Sequence, residues 1–208
     1  MLQCMKTAAS VTLPMSTYRS RTRPPERLRF GAANDAPMPD GEIFTSRDGS
    51  RLSIRPIHSD DVAALQRGFA HLQPDEVRMR FLHTLTELPD QLAQRLCNLD
   101  PEQELAYVLV DPTDTTEPEI YGVARAYIDP TTDSAEFALI VQRRFTGQGL
   151  GSRLLNKVIA SCHRRGVHEI WGDVLTENHA MLELCDEFGF RRESVFHDAS
   201  LTRVRLAL

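Results

Sequence analysis

Apolar side chains recur with two different periods from Glu42 onward, and these periods predict strands and helices in a regular order. Alternating or continuous apolar runs predict strands over residues 43–46, 52–56, 105–110, 120–128, 135–141 and 169–175. Apolar residues at helical spacing predict helices over 62–72, 77–81, 92–97, 150–165 and 181–188, and the runs 190–197 and 201–208 predict a terminal hairpin. We expect Ser59-Asp60-Asp61 to cap the first of these helices. The order indicates a single α/β (α+β) domain over residues 42–208.

The connections between the strands indicate how they pair. The turn Arg47-Asp48-Gly49-Ser50 predicts an antiparallel hairpin. The strands 135–141 and 169–175 are joined through a helix, so we expect them to pair in parallel. Alternate small residues in the strand 120–128 predict a face on which a helix packs closely. The expected architecture is a twisted, mixed and mostly antiparallel sheet with helices on both faces.

Charge is divided unevenly along the chain. Residues 1–30 hold six cations against Glu26 alone, a net charge of +5, so residues 31–208 carry −10 in a chain of −5 overall. Residues 1–41 have three interpretations: a disordered arm, an organelle-type presequence, or sequence translated upstream of a true start such as Met15. We favour a disordered arm or a mis-set start, because no strong apolar period precedes Phe30.

The acidic body and the spacing of the cysteines exclude several classes of function. A nucleic-acid-binding domain would show a basic face. The four cysteines stand far apart and the histidines form no ligand pair at helical spacing, so we expect neither a disulfide framework nor a metal site. No apolar run approaches the ~20 residues of a membrane helix. We expect a reducing, cytoplasmic compartment; the sequence does not indicate the oligomeric state.

A glycine-rich turn between the strand 135–141 and the helix 150–165 is the most informative stretch. Gly147, Gly149 and Gly151 stand within five residues and leave backbone N–H groups uncovered at the positive end of a helix dipole, which is how a chain binds phosphate. A P-loop would need Lys-Ser or Lys-Thr after its last glycine. A dinucleotide fingerprint would follow a first parallel strand, whereas the preceding runs indicate antiparallel strands.

The pattern Arg144-x-x-Gly147-x-Gly149 resembles the coenzyme A pyrophosphate loop of the GNAT acetyltransferase superfamily, and the resemblance extends over about residues 42–208. Within that superfamily, several local sequences resemble the acetyltransferase domain of the bacterial protein lysine acetyltransferases. These are LSIRPI (52–57), VRMRF (77–81), IYGVAR (120–125), AEFA (135–138), NHAML (178–182) and FGF (188–190). The resemblance implies an acetyl-CoA-dependent N-acetyltransferase of GNAT fold that acts on an amine, with a protein lysine as the favoured acceptor.

The resemblance also implies which residues bind acetyl-CoA. Backbone groups near Val141 would bond the pantetheine arm and polarise the thioester carbonyl. The amides from Arg144 to Ser152 would hold the pyrophosphate, and Asn178 would steady the pantetheine or the departing sulfur. The expected binding residues are Ile140, Val141, Arg144, Gly147, Gln148, Gly149, Leu150, Gly151, Ser152 and Asn178.

Glu136 is the candidate general base, acting directly or through water. A lysine ammonium, with a pKa of ~10.4, must lose a proton before it attacks a thioester. Glu136 is one carboxylate in an otherwise apolar strand, at the position where the lysine acetyltransferases that the chain resembles keep theirs. A low dielectric constant there would raise its pKa and its basicity. The alternative is that Glu136 points to solvent from an alternating strand.

The chain departs from the superfamily pattern at one position. Many members place a tyrosine shortly before the Gly-Phe pair to protonate the leaving thiolate, and this chain has Cys185 there. We expect Cys185 to serve packing, because it lies on the inward face of its helix. Arg78 and Arg80 either line the acceptor cleft or solvate a helix face, and His179 faces either the cleft or solvent.

Three functions from different classes remain open on the sequence. The first is a protein N-ε-lysine acetyltransferase, and the second is a small-molecule amine acetyltransferase acting on polyamine-like or aminoglycoside-like acceptors. The third is a non-catalytic acyl-CoA-binding module, for which the missing tyrosine is mild support and Glu136 is evidence against.

Overall fold

The domain contains eight strands and five α-helices within the residues that the computed structural model describes, 41–82, 85–114 and 116–208. The strands are β1 (Glu42–Thr45), β2 (Arg51–Pro56), β3 (Glu104–Val110), β4 (Ile120–Asp129), β5 (Ser134–Val141), β6 (Glu169–Leu175), β7 (Arg191–Ser194) and β8 (Leu201–Ala207). The helices are α1 (Val62–Ala70), α2 (Pro74–Phe81), α3 (Asp90–Cys97), α4 (Leu150–Arg164) and α5 (His179–Glu187). The predicted basic tail lies outside the described residues except for Gly41.

The eight described strands form one sheet in the order β1-β2-β3-β4-β5-β6-β8-β7. Neighbouring strands are antiparallel except β5 and β6, which pair in parallel and are connected through α4. β8 lies between β6 and β7, so β7 of the terminal hairpin forms an outer edge. The predicted fold class, a mixed and mostly antiparallel sheet with helices on both faces, is confirmed.

Two hydrophobic cores cover the two faces of the sheet. α1, α2 and α3 pack on one face, where Val108 and Val123 are buried. α4 and α5 pack on the other, where Leu154 is buried. The small-residue face of β4 does bring a helix close, because a Cβ added at Gly122 would lie 3.2 Å from the Leu154 side chain. The continuous apolar run of β3 is buried along its whole length, as expected for a strand covered on both faces.

The start and the end of α1 differ from the prediction. Residues 59–61 form a 3-10 turn, and the Asp61 carboxylate does not cap α1. It accepts two hydrogen bonds from the Arg55 guanidinium and one from the His58 N–H, each at 2.7 Å. A bidentate guanidinium is a stronger partner for a carboxylate than a helix amide. The helix ends at Ala70, so Leu72 lies beyond it.

Candidate active site

β5 and β6 separate after three residues of parallel pairing. Residues 134–136 pair with residues 169–171, and no further register partners join the two strands. β5 stays paired with β4, and β6 with β8, to the ends of the strands. The facing backbone groups of residues 137–141 and 172–175 therefore have no partners in a ladder between these strands. Such groups leave a slot in which an extended polar ligand can bond the backbone.

The loop before α4 presents backbone donors at the carboxyl end of β5. Gly147 (φ 73°) and Gly149 (φ 77°) adopt left-handed conformations that glycine reaches without strain. A Cβ added at either glycine would meet no heavy atom within 4 Å, so the space above the loop is open. Gly149 is the N-cap of α4 and provides no side-chain cap for the first-turn N–H groups of residues 150–152. This arrangement suits the binding of a phosphate group.

The turn of the β1–β2 hairpin contacts this loop directly. Arg47 Nη1 donates to the carbonyl oxygen of Gly147 at 3.1 Å, and Gln148 Nε2 donates to Asp48 Oδ2 at 3.1 Å. Asp48 also accepts a serine hydroxyl and a backbone N–H within its own turn, and these hydrogen bonds hold the pKa of its carboxyl well below its usual range. Sequence reasoning missed both contacts, because the partners are 100 positions apart in the chain.

The side chain of Arg144 is bound by residues outside the glycine-rich turn. Its guanidinium donates to Glu119 Oε1 and Gln142 Oε1, each at 2.8 Å. It also lies over the rings of Tyr121 and Phe145, at 4.8 and 4.9 Å from their centroids. Burial alone would raise the pKa of Glu119, but the hydrogen bonds it accepts and the charge of Arg144 hold that pKa below its usual value. The Arg144 side chain therefore fixes the base of the loop.

A cleft of about 40 Å³, partly open to solvent, lies where β5 and β6 separate. Met79 and Arg80 of α2 line one side, and Asn178 and Met181 at the start of α5 line the other. Ala138 of β5 lies between them. The cleft is thus bounded by α2 and by the start of α5, and the separated strands form its floor.

Glu136 lies on the same face of β5 as Ala138, about 7 Å along the strand, where the pairing with β6 ends. It is half-buried, and no hydrogen bond joins its carboxylate to another described residue. Burial raises its pKa above the usual value, and the negative charge of Asp173 raises it further, against the opposing charges of Arg80 and Arg203. The carboxylate is therefore more basic than that of an exposed glutamate, and it does not point freely to solvent.

Asp173 is a second carboxylate beside the cleft, and it is neutralised by a cation. Its side chain is 2% exposed and bonds the Arg203 guanidinium through two contacts of 2.7 Å. These hydrogen bonds raise the pKa of Arg203, whose guanidinium also lies over the Trp171 ring at 4.4 Å. Sequence reasoning missed this pair, although the alternation of Trp171 and Asp173 with small and apolar residues marks one polar face of β6.

Asn178 and Cys185 hold different positions relative to the cleft. Asn178 caps α5 through Oδ1, which accepts the Met181 N–H at 3.2 Å, so its amide NH₂ remains the group able to donate toward a ligand. Cys185 is 0% exposed within the α4–α5 core, and burial raises the pKa of its thiol to about 12. This burial confirms that Cys185 lies on the inward face of its helix, as predicted.

The structure separates the two arginines of α2. Arg80 is 8% exposed and lines the cleft, whereas Arg78 is half-exposed and forms an ion pair with Glu177, beside the cleft residue Asn178. His179 is exposed. The sequence left open whether Arg80 lines the cleft, because an arginine in a short helix is typical of a solvated face.

Two further features concern metals and membranes. No three His, Cys, Asp or Glu side chains within the described residues are grouped so that they could hold a metal ion. None of the described helices has the length and apolar character needed to cross a membrane. Cys97, Cys162 and Cys185 are buried free thiols.

Proteins of known sequence or structure resemble this chain over most of its length. The acetyltransferase PA5475 of Pseudomonas aeruginosa is 27% identical over 161 residues, which span 77% of this chain and 86% of the relative. The GNAT domain of S. lividans PAT superposes with a TM-score of 0.71 at 23% identity, covering 81% of this chain and 97% of that domain. A cAMP-binding acyltransferase from Mycobacterium smegmatis superposes with a TM-score of 0.53 at 23% identity, covering 80% of this chain and 47% of the larger one.

The structural likenesses establish the fold, and a family model establishes the family. The model of the acetyltransferase (GNAT) family matches residues 69–190, which is more than half of the chain. The matched segment runs from the end of α1 to Phe190, three residues beyond α5, and includes the separated strands, the glycine loop and the cleft. This chain therefore belongs to the GNAT acetyltransferase family, whose members are acyl-CoA-dependent N-acetyltransferases.

Proposed function

We propose that the protein transfers the acetyl group of acetyl-CoA to the ε-amine of a lysine side chain on another protein, with Glu136 as general base. One observation carries this proposal. Glu136 is half-buried, its pKa is raised, and it lies where β5 and β6 separate beside an open cleft. A group of raised basicity in that position can take a proton from an amine that enters the cleft.

The donor side of the cleft fits acetyl-CoA. The backbone N–H groups of residues 147–152 would bind the pyrophosphate, because they lie at the N-terminus of α4 without a side-chain cap. The backbone of Ile140 and Val141 would bond the pantetheine arm and polarise the thioester carbonyl. The amide NH₂ of Asn178 would steady the sulfur. Acetyl-CoA supplies the activated acyl carbon.

The chemistry then depends on two proton transfers. Glu136 accepts one proton from the lysine ammonium, directly or through water, which frees the lone pair that forms the new C–N bond at the thioester carbonyl carbon. A backbone N–H near Val141 stabilises the negative charge that develops on the carbonyl oxygen. The C–S bond breaks with its electron pair on sulfur. The nitrogen loses a second proton, which neutralises the thiolate through water, and Glu136 returns its proton to solvent.

The walls of the cleft favour a lysine side chain over a small polycation. Met79 and Met181 offer flexible apolar walls to the methylene stem of a lysine. Among the described residues that line the cleft, Asp173 is the one acidic residue, and it is neutralised by Arg203. A ligand with several positive charges therefore lacks matching carboxylates there. The segments 77–81 and 178–182, which resemble the protein lysine acetyltransferases, lie on the two opposite walls of this cleft.

A transfer experiment distinguishes the acceptors. The purified protein is incubated with radiolabelled acetyl-CoA and either a bacterial cell lysate or a panel of polyamines and aminoglycosides. We expect label on proteins, released after digestion as N-ε-acetyllysine. Label on small amines alone would replace the protein acceptor with a small molecule. Tight acetyl-CoA binding without label in either arm would indicate a non-catalytic acyl-CoA-binding module.

A further inference from the structure

A second, mostly apolar cavity of about 50 Å³ lies behind the cleft, between the helices α1–α3 and the strands β4 and β5. Leu65, Phe81, Leu96 and Val123 line it, and each of them is less than 9% exposed. It lies on the face of the sheet opposite α4. It is partly open to solvent, as the cleft is, and its mainly apolar lining can accept apolar groups.

Two polar side chains at the edge of this cavity donate hydrogen bonds to the protein backbone. The Gln142 amide donates to the carbonyl oxygen of Gly68 at 3.1 Å, and the Arg125 guanidinium donates to the carbonyl oxygen of Leu96 at 2.9 Å. These two side chains thus use some of their hydrogen-bond donors on the protein backbone. The cavity therefore presents mainly hydrocarbon to a guest.

The cavity adjoins the position of the reacting acyl group. Arg80 lines both the cavity and the cleft, so its side chain forms the boundary between them. Ala138 lines the cleft and Ile140 lines the cavity, and these residues lie on the same face of β5, about 7 Å apart along the strand. An acyl carbonyl bonded to the backbone near Val141 would thus have the cavity next to its carbon chain.

We propose that this cavity binds the terminal carbons of acyl groups longer than acetyl, so that the enzyme uses short-chain acyl-CoA thioesters such as propionyl-CoA and butyryl-CoA. The proposal rests on the proposed function for the position of the thioester. A volume of about 50 Å³ accommodates roughly three or four methylene-sized groups, since a cavity needs ~10–15 Å³ of such space for each water-sized group. An octanoyl chain exceeds that space. Transfer itself is unchanged: the same C–N bond forms and the same C–S bond breaks.

Binding measurements test the inference without knowledge of the acceptor. Isothermal titration calorimetry of the full chain with CoA and with acetyl-, propionyl-, butyryl- and octanoyl-CoA gives a Kd for each. Each methylene that enters the cavity should tighten binding by about fourfold, so Kd falls from acetyl- to butyryl-CoA and rises again for octanoyl-CoA. Equal Kd values, or a Kd that rises from acetyl- to propionyl-CoA, would overturn the inference.

Two substitutions at Val123 test the cavity itself. Val123→Ile adds a methylene to the lining and should lower the preference for butyryl- over acetyl-CoA by about fourfold or more. Val123→Ala enlarges the cavity and should move the preferred chain to a longer one. Val62→Ile, the same change at a partly buried residue that does not line the cavity, should leave the preference unaltered. Circular dichroism confirms that each variant is folded.

The outcomes separate this inference from the proposed function. Chain-length preference that responds to Val123 substitution, together with an absence of label on any amine, would support the cavity and refute the transfer reaction. Label on protein lysines, together with chain-length preferences that are identical in Val123→Ile and Val62→Ile, would support the transfer reaction and refute the cavity.

Discussion

Replacing Glu136 by glutamine removes the proposed base while keeping the size of the side chain. Glu136 is half-buried and without a hydrogen bond to another described residue, so the substitution breaks no bond of that kind within the described part of the chain. A general base contributes roughly 10²–10⁴-fold to the rate. At 1.36 kcal/mol per tenfold, this corresponds to an increase of about 3–5 kcal/mol in the activation free energy. We expect kcat to fall by that factor while the Kd for acetyl-CoA stays nearly constant.

The pH dependence gives a second signature. Burial raises the pKa of Glu136, and the base works only when it is deprotonated, so kcat/KM of the wild type falls as pH drops through that raised pKa. The glutamine variant should lose this fall at low pH and keep the pH dependence that comes from ionisation of the substrate amine. Glu136→Asp retains a carboxylate, so its kcat/KM should still fall at low pH, from a lower maximum.

The same raised pKa has a consequence for stability. The folded state binds the Glu136 proton more tightly than the unfolded state, so its contribution to stability is full below the usual glutamate pKa of 4.5. That contribution is lost as pH rises through the folded-state pKa. Glutamine does not titrate and so does not lose this contribution. The difference between the unfolding midpoints of Glu136→Gln and the wild type should therefore shift in favour of the variant as pH rises from about 4 to about 7.

Steady-state kinetics over a pH series, with thermal unfolding on the same samples, measure both effects. Glu183→Gln is a matched control, because Glu183 is exposed on α5. It should leave the rate, the pH profile and the relative stability unaltered. A Glu136→Gln enzyme with wild-type turnover and an unaltered fall of kcat/KM at low pH would refute the assignment of Glu136 as base.

Three further predictions concern the loop and the last helix. Gly149→Ala forces a left-handed alanine (φ 77°) and should weaken acetyl-CoA binding in calorimetry, whereas Gly189→Ala (φ 82°) imposes similar strain, about 1–2 kcal/mol, without that loss. Asp48→Asn weakens the acceptor for Gln148 and should raise the Kd for acetyl-CoA several-fold; a Kd equal to that of the wild type would refute a role for the hairpin turn. Cys185→Ser places a hydroxyl in the core and should lower the free energy of unfolding by about 1–3 kcal/mol in urea titrations with little change in kcat; a large fall in kcat at full stability would restore Cys185 as a proton donor.

The order of the elements was predictable because each strand and helix has its own apolar period. The glycine loop was predictable for a similar reason: Gly147 and Gly149 lie between a strand and a helix, and both adopt left-handed conformations in the structure. The error at the start of α1 arose because Asp61 bonds Arg55 of the neighbouring strand. Helix capping is a local signal, and a contact from another element overrode it.

The parts of the site that were not predictable depend on distant contacts. The pairing of Asp48 with Gln148 joins residues 100 positions apart, and no pattern around either residue indicates it. Arg80 lies in a helix with charged neighbours, and its burial follows only from the packing of α2 against the sheet. The separation of β5 and β6 is likewise invisible in their sequences, because each strand keeps its other partner to its end.

A crystal structure of the protein with CoA bound would locate the donor site. We expect the pyrophosphate within hydrogen-bonding distance of the backbone N–H groups of residues 147–152, and the pantetheine arm between the separated ends of β5 and β6 with its sulfur near Asn178. We expect Glu136 and the cleft on the far side of that sulfur. Coenzyme A bound elsewhere, or a slot closed by continued pairing of β5 with β6, would refute this placement of the acetyl-CoA site.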